Sequence, residues 1–243
     1  MGLFDLFAKK EERKSIVSTD MHSHLIPGVD DGSTSMEESI AMIQSLIEIG
    51  YTNFFTTPHI MGDFYKNSPE NLIPLRDLVR AELKSKNIAC TFNVAAEYYI
   101  DEWFFERVKN KEALLTMGNG YLLVETSYLN RPNNFYEVIF ALQTQGYKVI
   151  LAHPERYTYM YNNFKGYQDI FDRGVYFQLN LNSLTGYYSP KAKSIAEKLV
   201  KKGMVHFIGT DCHTPKHIDV LQRAINSKTY KKLSELPLLN DTL

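Results

Sequence analysis

Residues 146–156 read GYKVILAHPER, and this stretch contains the repeating unit that decides the fold. Its glycine stands where a helix would end, because glycine readily adopts the left-handed conformation that closes helices. The apolar, β-branched run that follows is typical of a buried strand. Residues 203–213, GMVHFIGTDCH, repeat the order of glycine, apolar run and polar residues. The chain therefore repeats a unit in which a helix leads into a buried strand that ends in reactive side chains.

The same alternation of short apolar runs and longer helical patterns extends over most of the chain. It predicts seven strands: Ile16–Met21, Asn53–Thr57, Thr91–Ala96, Tyr121–Val124, Lys148–Ala152, Val175–Leu179 and Val205–Thr210. Helix starts lie between them, at Ser35 with Glu38, at Ser68-Pro69 and at Ser189-Pro190. Apolar strands that alternate with helices favour a parallel sheet covered on both faces. A closed barrel and a doubly wound open sheet both satisfy this pattern.

The composition excludes several classes of protein. Hydrophobic residues make up 44% and charged residues 23% of the 243 residues, as in ordinary globular domains, and single-domain α/β barrels reach this length. The 27 basic and 28 acidic residues give a net charge of −1, which argues against nucleic-acid binding. The two cysteines form no CxxC pair and fit a reducing cytoplasm. No apolar run is long enough for a transmembrane helix.

The first 15 residues differ in character from the rest. Leu3, Leu6 and Phe7 form an apolar stripe at helical spacing, and a run of mixed charges follows it. We expect residues 1–15 to form an amphipathic, charged arm that packs on its own domain in preference to a membrane or a partner. Residues 16–243 are expected to form one domain.

Residues that bind metal ions follow almost every predicted strand. They are His22 and His24 after the first strand with Asp31 in the turn beyond, His59 after the second, Glu97 after the third, Glu125 after the fourth, His153 after the fifth, and Asp211 and His213 after the seventh. His22 and His24 are two residues apart in an extended segment and therefore face the same side. Ligands that collect at six strand ends favour a closed barrel, which gathers these ends at one mouth.

The residue types indicate the ions. Five histidines and four carboxylates are too many ligands for one ion, so we expect two or three. Imidazole and carboxylate without thiolate suit manganese, iron, zinc or cobalt and do not choose among them. Three divalent ions against four carboxylates would leave a net charge of about +2, which favours a dianionic substrate. His206 is expected to pack inside the last strand and His217 to start a helix, so neither is counted as a ligand.

The motifs resemble, in order, those of the PHP (polymerase and histidinol phosphatase) metallophosphoesterases. The first element is His22-Ser23-His24 with the stretch PGVDDGS at residues 27–33. TPH at 57–59, AE at 96–97, VETS at 124–127, AHPER at 152–156 and TDCH at 210–213 follow in the order of the family. Within the family, PGVDDG and HPER are most similar to the capsule-type (CpsB-like) bacterial protein tyrosine phosphatases. The matching motifs extend from His22 to His213, over most of the chain.

The resemblance implies a distorted (β/α)7 barrel of the PHP type, in agreement with the seven strands, and a trinuclear centre in which manganese is the expected ion. In this centre His22, His24 and Asp211 would bind one ion, Glu97 would bridge it to a second ion held by Glu125 and His153, and Asp31, His59 and His213 would hold the third. Arg156 would bind the phosphoryl group. A second, later arginine is not evident, and Lys216 or His217 would take its place.

The resemblance also implies hydrolysis of a phosphotyrosine ester by a metal-activated water, without a covalent phosphoenzyme. The expected substrate is the tail of a membrane-anchored bacterial tyrosine kinase that controls capsular or exopolysaccharide synthesis, so the enzyme would act in the cytoplasm at the inner face of the membrane. Two alternatives stay open: a PHP small-molecule phosphatase of the histidinol-phosphate type, and a non-catalytic, metal-stabilised protein that binds a phosphorylated partner. A cysteine-dependent phosphatase is excluded, because no arginine lies six residues after Cys90 or Cys212.

Overall fold

The computed structural model describes residues 13–243, so most of the arm predicted for residues 1–15 lies outside the described residues. The strand segments are β1 Thr19–Asp20, β2 Asn53–Thr56, β3 His59–Ile60, β4 Thr91–Val94, β5 Glu97–Tyr99, β6 Tyr121–Glu125, β7 Lys148–Ala152, β8 Tyr176–Asn180 and β9 Phe207–Gly209. The α-helices are α1 Met36–Ile49, α2 Pro69–Ser85, α3 Glu102–Lys109, α4 Phe135–Thr144, α5 Phe164–Phe171, α6 Pro190–Lys201, α7 Pro215–Ile225 and α8 Lys228–Leu233. An α-helix separates each strand segment from the next, as the sequence predicts, except between β2 and β3 and between β4 and β5.

The helix ends follow most of the predicted signals. The hydroxyl of Ser35 accepts a hydrogen bond from the backbone N–H of Glu38 at the start of α1 (3.2 Å). The Glu38 carboxylate, however, accepts hydrogen bonds from the N–H and hydroxyl of Thr34 (2.8 and 2.7 Å), the residue before Ser35. In a capping box it would accept from the N–H of Ser35 itself. Gly50 ends α1 with a φ of 115°, which a residue with a side chain rarely adopts.

The strands form two parallel sheets, in the orders β1-β2-β4 and β3-β5-β6-β7-β8-β9. β2 and β3 are halves of one strand interrupted at Thr57-Pro58, and β4 and β5 are halves of another interrupted at Ala95-Ala96. Pairing continues across both breaks, because the N–H of Ala95 donates to the carbonyl of Thr56 (2.9 Å) and the N–H of Glu97 to that of Pro58 (3.1 Å). The nine segments therefore make seven barrel strands.

The barrel closes between its first and last strands, close to the predicted ligands. The N–H of Asp211 donates to the carbonyl of His22 (2.8 Å), and the N–H of His24 donates to the carbonyl of Cys212 (2.9 Å). Ser23 and Cys212 form a parallel bridge between these two contacts. This closure confirms the expected distorted (β/α)7 barrel.

Two hydrophobic clusters lie on opposite faces of the strands. Leu122 and Leu151 belong to the large cluster, which includes the buried faces of the helices. Leu123 and Ile150 belong to a smaller cluster with Phe207. Because side chains alternate along a strand, the smaller cluster is the filling of the barrel. Glu125 lies two residues after Leu123 in β6, so its carboxylate continues the same inner face toward the mouth.

The first and last strands are shorter than predicted. β1 has two residues in place of the predicted Ile16–Met21, and β9 has three in place of Val205–Thr210. The backbone N–H groups that lead into β1 donate to the carboxylate of Asp241, at 2.9 Å from Ser18 and 2.9 Å from Thr19. A side chain thus replaces a neighbouring strand at this end. By contrast, β7 has the predicted bounds.

The C-terminal turn Asn240–Thr242 joins β1 to β9 at the end opposite the mouth. The side-chain amide of Asn240 donates to the carbonyls of Thr19 (3.0 Å) and Ile208 (2.7 Å) and accepts from the N–H of Ile208 (3.0 Å). Asn240 is fully buried. One asparagine therefore supplies the hydrogen bonds that a strand would supply, and the sequence analysis did not identify it.

Replacing Asn240 with alanine should lower the free energy of unfolding by about 3 kcal/mol, because it leaves several buried backbone groups without partners at about 1–3 kcal/mol each. Urea unfolding followed by circular dichroism measures the change. Asn162→Ala, at an exposed position, is the matched control and should change stability by less than about 0.5 kcal/mol. Equal unfolding midpoints for the two variants would contradict this role of Asn240.

Candidate metal centre

All nine predicted ligand residues lie at the mouth formed by the carboxyl ends of the strands. Their nitrogen and oxygen atoms form four overlapping groups, within each of which the atoms lie within 4.8 Å of one another. The groups are His22, His24 and Asp211; His22, Glu97 and His153; His59, Glu97 and Glu125; and His24, Asp31, His59 and His213. The structure therefore brings the whole predicted set together around one point.

Glu97 lies at the centre of these groups. Its Oε2 is 3.1 Å from Nε2 of His22, 3.4 Å from Nε2 of His24 and 3.2 Å from Nδ1 of His59, and its Oε1 is 2.9 Å from Nε2 of His153. The side chain is fully buried. Burial opposes ionisation of Glu97, but the attraction of His22 and His59 holds its pKa well below the usual range. The site therefore contains a buried carboxylate with both oxygens directed at imidazoles.

One carboxylate oxygen of Asp211 faces the cluster, and the other accepts hydrogen bonds from residues outside it. Its Oδ1 lies 3.4 Å from Nε2 of His22 and 3.5 Å from Nε2 of His24. Its Oδ2 accepts hydrogen bonds from the side-chain amide of Asn180 (2.5 Å) and from the guanidinium of Arg156 (2.9 Å). These donors fix the carboxylate so that a single oxygen faces the centre.

Two of the ligand residues have unusual backbone conformations. His153 has a φ of 32° and Asp211 a φ of 49°, in the left-handed region that is uncommon for residues other than glycine. His153 directly follows β7 and Asp211 lies two residues after β9, where the chain must turn sharply while the side chain stays in the mouth. Such conformations are costly and concentrate at functional sites.

Hydrogen bonds orient the imidazoles from behind. Nδ1 of His22 is 2.8 Å from the side-chain carbonyl oxygen of Gln178, and Nδ1 of His24 is 2.7 Å from the carboxylate of Asp30. Nδ1 of His213 is 3.0 Å from the backbone carbonyl of Asp211. When Nδ1 donates in this way, the lone pair of Nε2 is free to bind a metal ion. All three histidines are thus arranged as ligands through Nε2.

Asp30, Gln178 and Asn180 were not predicted from the sequence. Each forms a hydrogen bond with a predicted ligand and is not itself a predicted ligand. Gln178 and Asn180 are two residues apart in β8, the one strand that carries no predicted ligand, and both are fully buried. The amide of Gln178 donates to the side-chain oxygen of Asn180 (2.8 Å), which links the contacts of His22 and Asp211. Two amides on one face at the end of an otherwise apolar strand are the signal that could have identified them.

Asp31 belongs to an outer group at the entrance. Its carboxylate is 56% exposed and lies 3.4 Å from Nε2 of His59 and 3.5 Å from Nε2 of His213. Hydrogen bonds with His213 and His59 lower the pKa of Asp31, which keeps it ionised at neutral pH. The outer group is therefore open to solvent, whereas the groups around Glu97 are closed.

The donor atoms fit divalent metal ions. Imidazole nitrogens and carboxylate oxygens are ligands that manganese, iron, zinc and cobalt accept. Among residues 13–243, the cationic partners of the buried carboxylates at the mouth are histidines and Arg156. The nitrogen and oxygen atoms of each group lie within 4.8 Å of one another. The residues of this chain can therefore hold metal ions at the mouth, and thiolate takes no part because the nearby Cys212 is buried with its Sγ 3.8 Å from Sδ of Met42.

Arg156 forms one wall of the cavity above the cluster. Its guanidinium lies between two aromatic rings, 4.4 Å from the centre of Tyr128 and 4.0 Å from the centre of Tyr188. The cavity has a volume of about 340 Å³ and is lined by these three residues together with ligands such as His153 and His213. The predicted phosphoryl-binding arginine thus lines the same cavity as the ligands.

His217, Lys216 and His206, which are not among the nine predicted ligands, have different surroundings. His217, in the first turn of α7 as predicted, lines the cavity and its Nδ1 accepts from the N–H of His213 (3.2 Å). Lys216 is instead directed at the ring of Tyr187, 6.0 Å from its centre. His206 packs on Phe171, and its Nδ1 accepts from a backbone N–H of β8, which agrees with its exclusion from the ligands.

Comparisons with known proteins identify the family of this chain. A family model described as capsular polysaccharide synthesis, CpsB/CapC, matches residues 18–235. CapC of Staphylococcus aureus is 29% identical over 196 residues, which cover 80% of this chain and 76% of CapC. The tyrosine-protein phosphatase YwqE of Bacillus subtilis is 26% identical over 235 residues and 92% of each chain. The tyrosine-protein phosphatase CpsB of Streptococcus pneumoniae is 26% identical over 234 residues, 88% of this chain and 93% of CpsB.

Solved structures support the fold. One from a study of YwqE and CpsB, described as metal-dependent tyrosine phosphatases, superimposes with a TM-score of 0.79 over 92% of this chain and 94% of that chain, at 24% identity. The lactonase Lmo2620 of Listeria monocytogenes superimposes with a TM-score of 0.55 over 93% and 94% of the two chains, at 11% identity. At these identities the likeness shows the barrel alone.

Within residues 13–243, no helix is both long enough and apolar enough to cross a lipid bilayer. The match to the family model spans almost the whole barrel, from the strand that carries His22 to the end of α8. This chain therefore belongs to the CpsB/CapC family of capsular polysaccharide synthesis.

Proposed function

We propose that this chain is a metal-dependent phosphatase that removes the phosphoryl group from phosphotyrosine in proteins. The observation that carries the proposal is the overlap of four ligand groups, which share His22, His24, His59 and Glu97, directly beside an arginine held between two tyrosine rings. A non-catalytic, metal-stabilised binding protein would need neither a shared carboxylate nor several adjacent ion sites. The family of the chain, and the tyrosine-protein phosphatases YwqE and CpsB among its relatives, support the same reaction.

The proposed centre holds two or three divalent ions, with manganese as the expected ion and iron, zinc or cobalt as the alternatives. His22, His24 and Asp211 would hold the first, Glu97 would bridge it to a second with Glu125 and His153, and Asp31, His59 and His213 would hold the third. His59 can contribute to either the second or the third ion position, because its Nδ1 is 2.9 Å from Glu125 and its Nε2 is 3.4 Å from Asp31. When bound, such ions supply an activated water at neutral pH and a positive surface for phosphoryl oxygens.

Arg156 is proposed to bind the phosphoryl group. One of its nitrogens, Nη1, donates to Asp211, and the side chain is 19% exposed and lines the cavity. A guanidinium presents five N–H donors in a planar fork, so the others can meet phosphoryl oxygens as their charge grows in the transition state. Stacking on Tyr128 and Tyr188 holds this fork in place before the substrate arrives. The same contact with Asp211 gives Arg156 a second task, which is to position a ligand.

The tyrosine walls favour an aryl phosphate over a small polar ester. An aromatic ring can pack on Tyr128 or Tyr188 while its phosphate dianion lies toward the cationic floor. We propose that the substrate is a phosphotyrosine tail of a membrane-anchored bacterial tyrosine kinase in capsular or exopolysaccharide synthesis. The cytoplasmic location expected from the two unpaired cysteines stays a prediction. Histidinol phosphate remains the alternative substrate because its phosphatases would use the same ligands.

Phosphotyrosine peptides should be hydrolysed about two- to tenfold faster than phosphoserine peptides or histidinol phosphate at equal concentration. The physical reason is that the ring of phosphotyrosine is bonded directly to the phosphate oxygen and can pack on the tyrosine walls, and aromatic pairs contribute about 0.5–1.5 kcal/mol. Phosphoserine has no ring, and a flexible alkyl chain separates the imidazole of histidinol phosphate from its phosphate. Phosphate release by the purified chain, with manganese added or with chelator, measures the preference. Equal or faster turnover of histidinol phosphate would move the assignment to the small-molecule alternative. No turnover of any of the three would favour the non-catalytic alternative.

Replacing His22 or Asp211 with alanine should release metal and lower kcat/KM more than about 100-fold, because loss of a direct ligand costs more than loss of a residue behind it. Metal content by mass spectrometry and phosphotyrosine hydrolysis are measured on the same samples. His206→Asn is the matched control, since it changes a half-buried histidine outside the cluster and keeps an acceptor for the N–H of Phe177. Retained metal and activity in either ligand variant would contradict the assignment.

Replacing Arg156 with lysine should lower kcat by about 100- to 1,000-fold, because the charge remains but the forked donor is lost. Arg131→Lys is the matched control, since Arg131 also stacks on a tyrosine, with its guanidinium 4.8 Å from the ring of Tyr136, but lies outside the cavity. If excess manganese restored the activity of Arg156→Lys, the residue would act only through Asp211 and not on the phosphoryl group.

A further inference from the structure

A groove of about 630 Å³ adjoins the metal cavity. Tyr128, Arg156 and Tyr188 line both spaces, so the stacked arginine forms the partition between them. Residues that line the groove but not the metal cavity include Tyr161 and Lys191. Its volume is large enough for two or three amino-acid side chains, whereas the metal cavity is about half as large. A peptide whose phosphorylated residue enters the cavity would therefore continue into this groove.

The walls of the groove are fixed by hydrogen bonds. The N–H and the hydroxyl of Thr158 both donate to the backbone carbonyl of Tyr128, each at 2.8 Å. The hydroxyl of Tyr161 lies 3.4 Å from that of Ser189, the N-cap of α6. Contacts within the protein therefore shape the groove before any ligand binds, which lowers the ordering cost of binding.

The two ends of the mouth differ in charge. The charged side chains that line the groove are Arg156 and Lys191, and no carboxylate lines it in the described part of the chain. The opposite side of the metal cavity carries the exposed carboxylate of Asp31. Lys191 is exposed in the first turn of α6, where the helix dipole disfavours a cation, so its position does not serve the helix. The groove thus combines tyrosine walls with positively charged side chains.

We infer that this groove binds the residues adjacent to the phosphotyrosine and that an acidic side chain there pairs with Lys191. The inference rests on the proposed phosphotyrosine phosphatase function and adds a sequence preference to it. The tyrosine walls accept the peptide, and Lys191 selects among peptides by charge. Because Lys191 is exposed, the preference is modest and depends on ionic strength.

The test uses phosphotyrosine peptides that carry glutamate, glutamine or lysine at each of the three positions on either side of the phosphorylated residue. At one or two positions on one side, the wild-type chain should hydrolyse the glutamate peptide with a kcat/KM about fivefold higher than the lysine peptide. The difference should lie in KM and should shrink when salt is added. Lys191→Glu should invert the order of the two peptides, a result that a purely structural role of Lys191 cannot give.

Lys201→Glu is the matched control, because it makes the same charge change at an exposed position of the same helix, roughly 15 Å away. It should keep the wild-type order. Equal kcat/KM for all peptides, or the same effect from both variants, would overturn the groove assignment while leaving phosphotyrosine hydrolysis intact. Failure to hydrolyse any phosphotyrosine peptide would overturn the proposed function and this inference with it.

Discussion

The buried carboxylate of Glu97 is the interaction on which the rest of the site depends. A carboxylate without water is costly unless opposite charges or hydrogen-bond donors surround it, and here four imidazoles converge on its two oxygens. Those imidazoles come from strands that are far apart in the sequence. They meet only because the barrel closes, and closure depends on the contacts of His22, His24, Asp211 and Cys212 and on Asn240 at the opposite end. Closure of the barrel is therefore required both for the fold and for the site.

Each irregularity of the barrel lies at or beside a candidate ligand. The breaks at Thr57-Pro58 and Ala95-Ala96 lie directly before His59 and Glu97. The left-handed residues His153 and Asp211 follow the ends of β7 and β9 by one and two residues. Each irregularity turns the chain where a ligand must point inward. β8, which supplies no ligand, supplies Gln178 and Asn180 and so completes the ring of supporting contacts. The distortion of the barrel is therefore what allows so many ligands to share one centre.

The sequence predicts the barrel and the meeting of nine candidate ligand residues at its mouth, because both follow from local patterns. Apolar runs between glycine and polar residues locate the strands, and histidines and carboxylates at their ends identify the mouth. The sequence does not predict the breaks within the second and third strands, since Asn53–Thr57 and Thr91–Ala96 have continuous strand character. The roles of Asp30, Gln178 and Asn240 also stay hidden, because each makes contacts with residues distant in the chain that only the closed barrel brings near. The second contact of Arg156, with Asp211, is of the same kind.

The mouth has three linked parts. They are a buried centre around Glu97, an arginine that both positions Asp211 and faces the cavity, and an aromatic groove beyond it. The centre is the part on which the others rest. Anomalous diffraction from crystals of the manganese-loaded chain tests it most directly. The account predicts at least two ions among the four ligand groups, with the Glu97 carboxylate bound to two of them. A single ion, or ions that leave Glu97 uncoordinated, would contradict it.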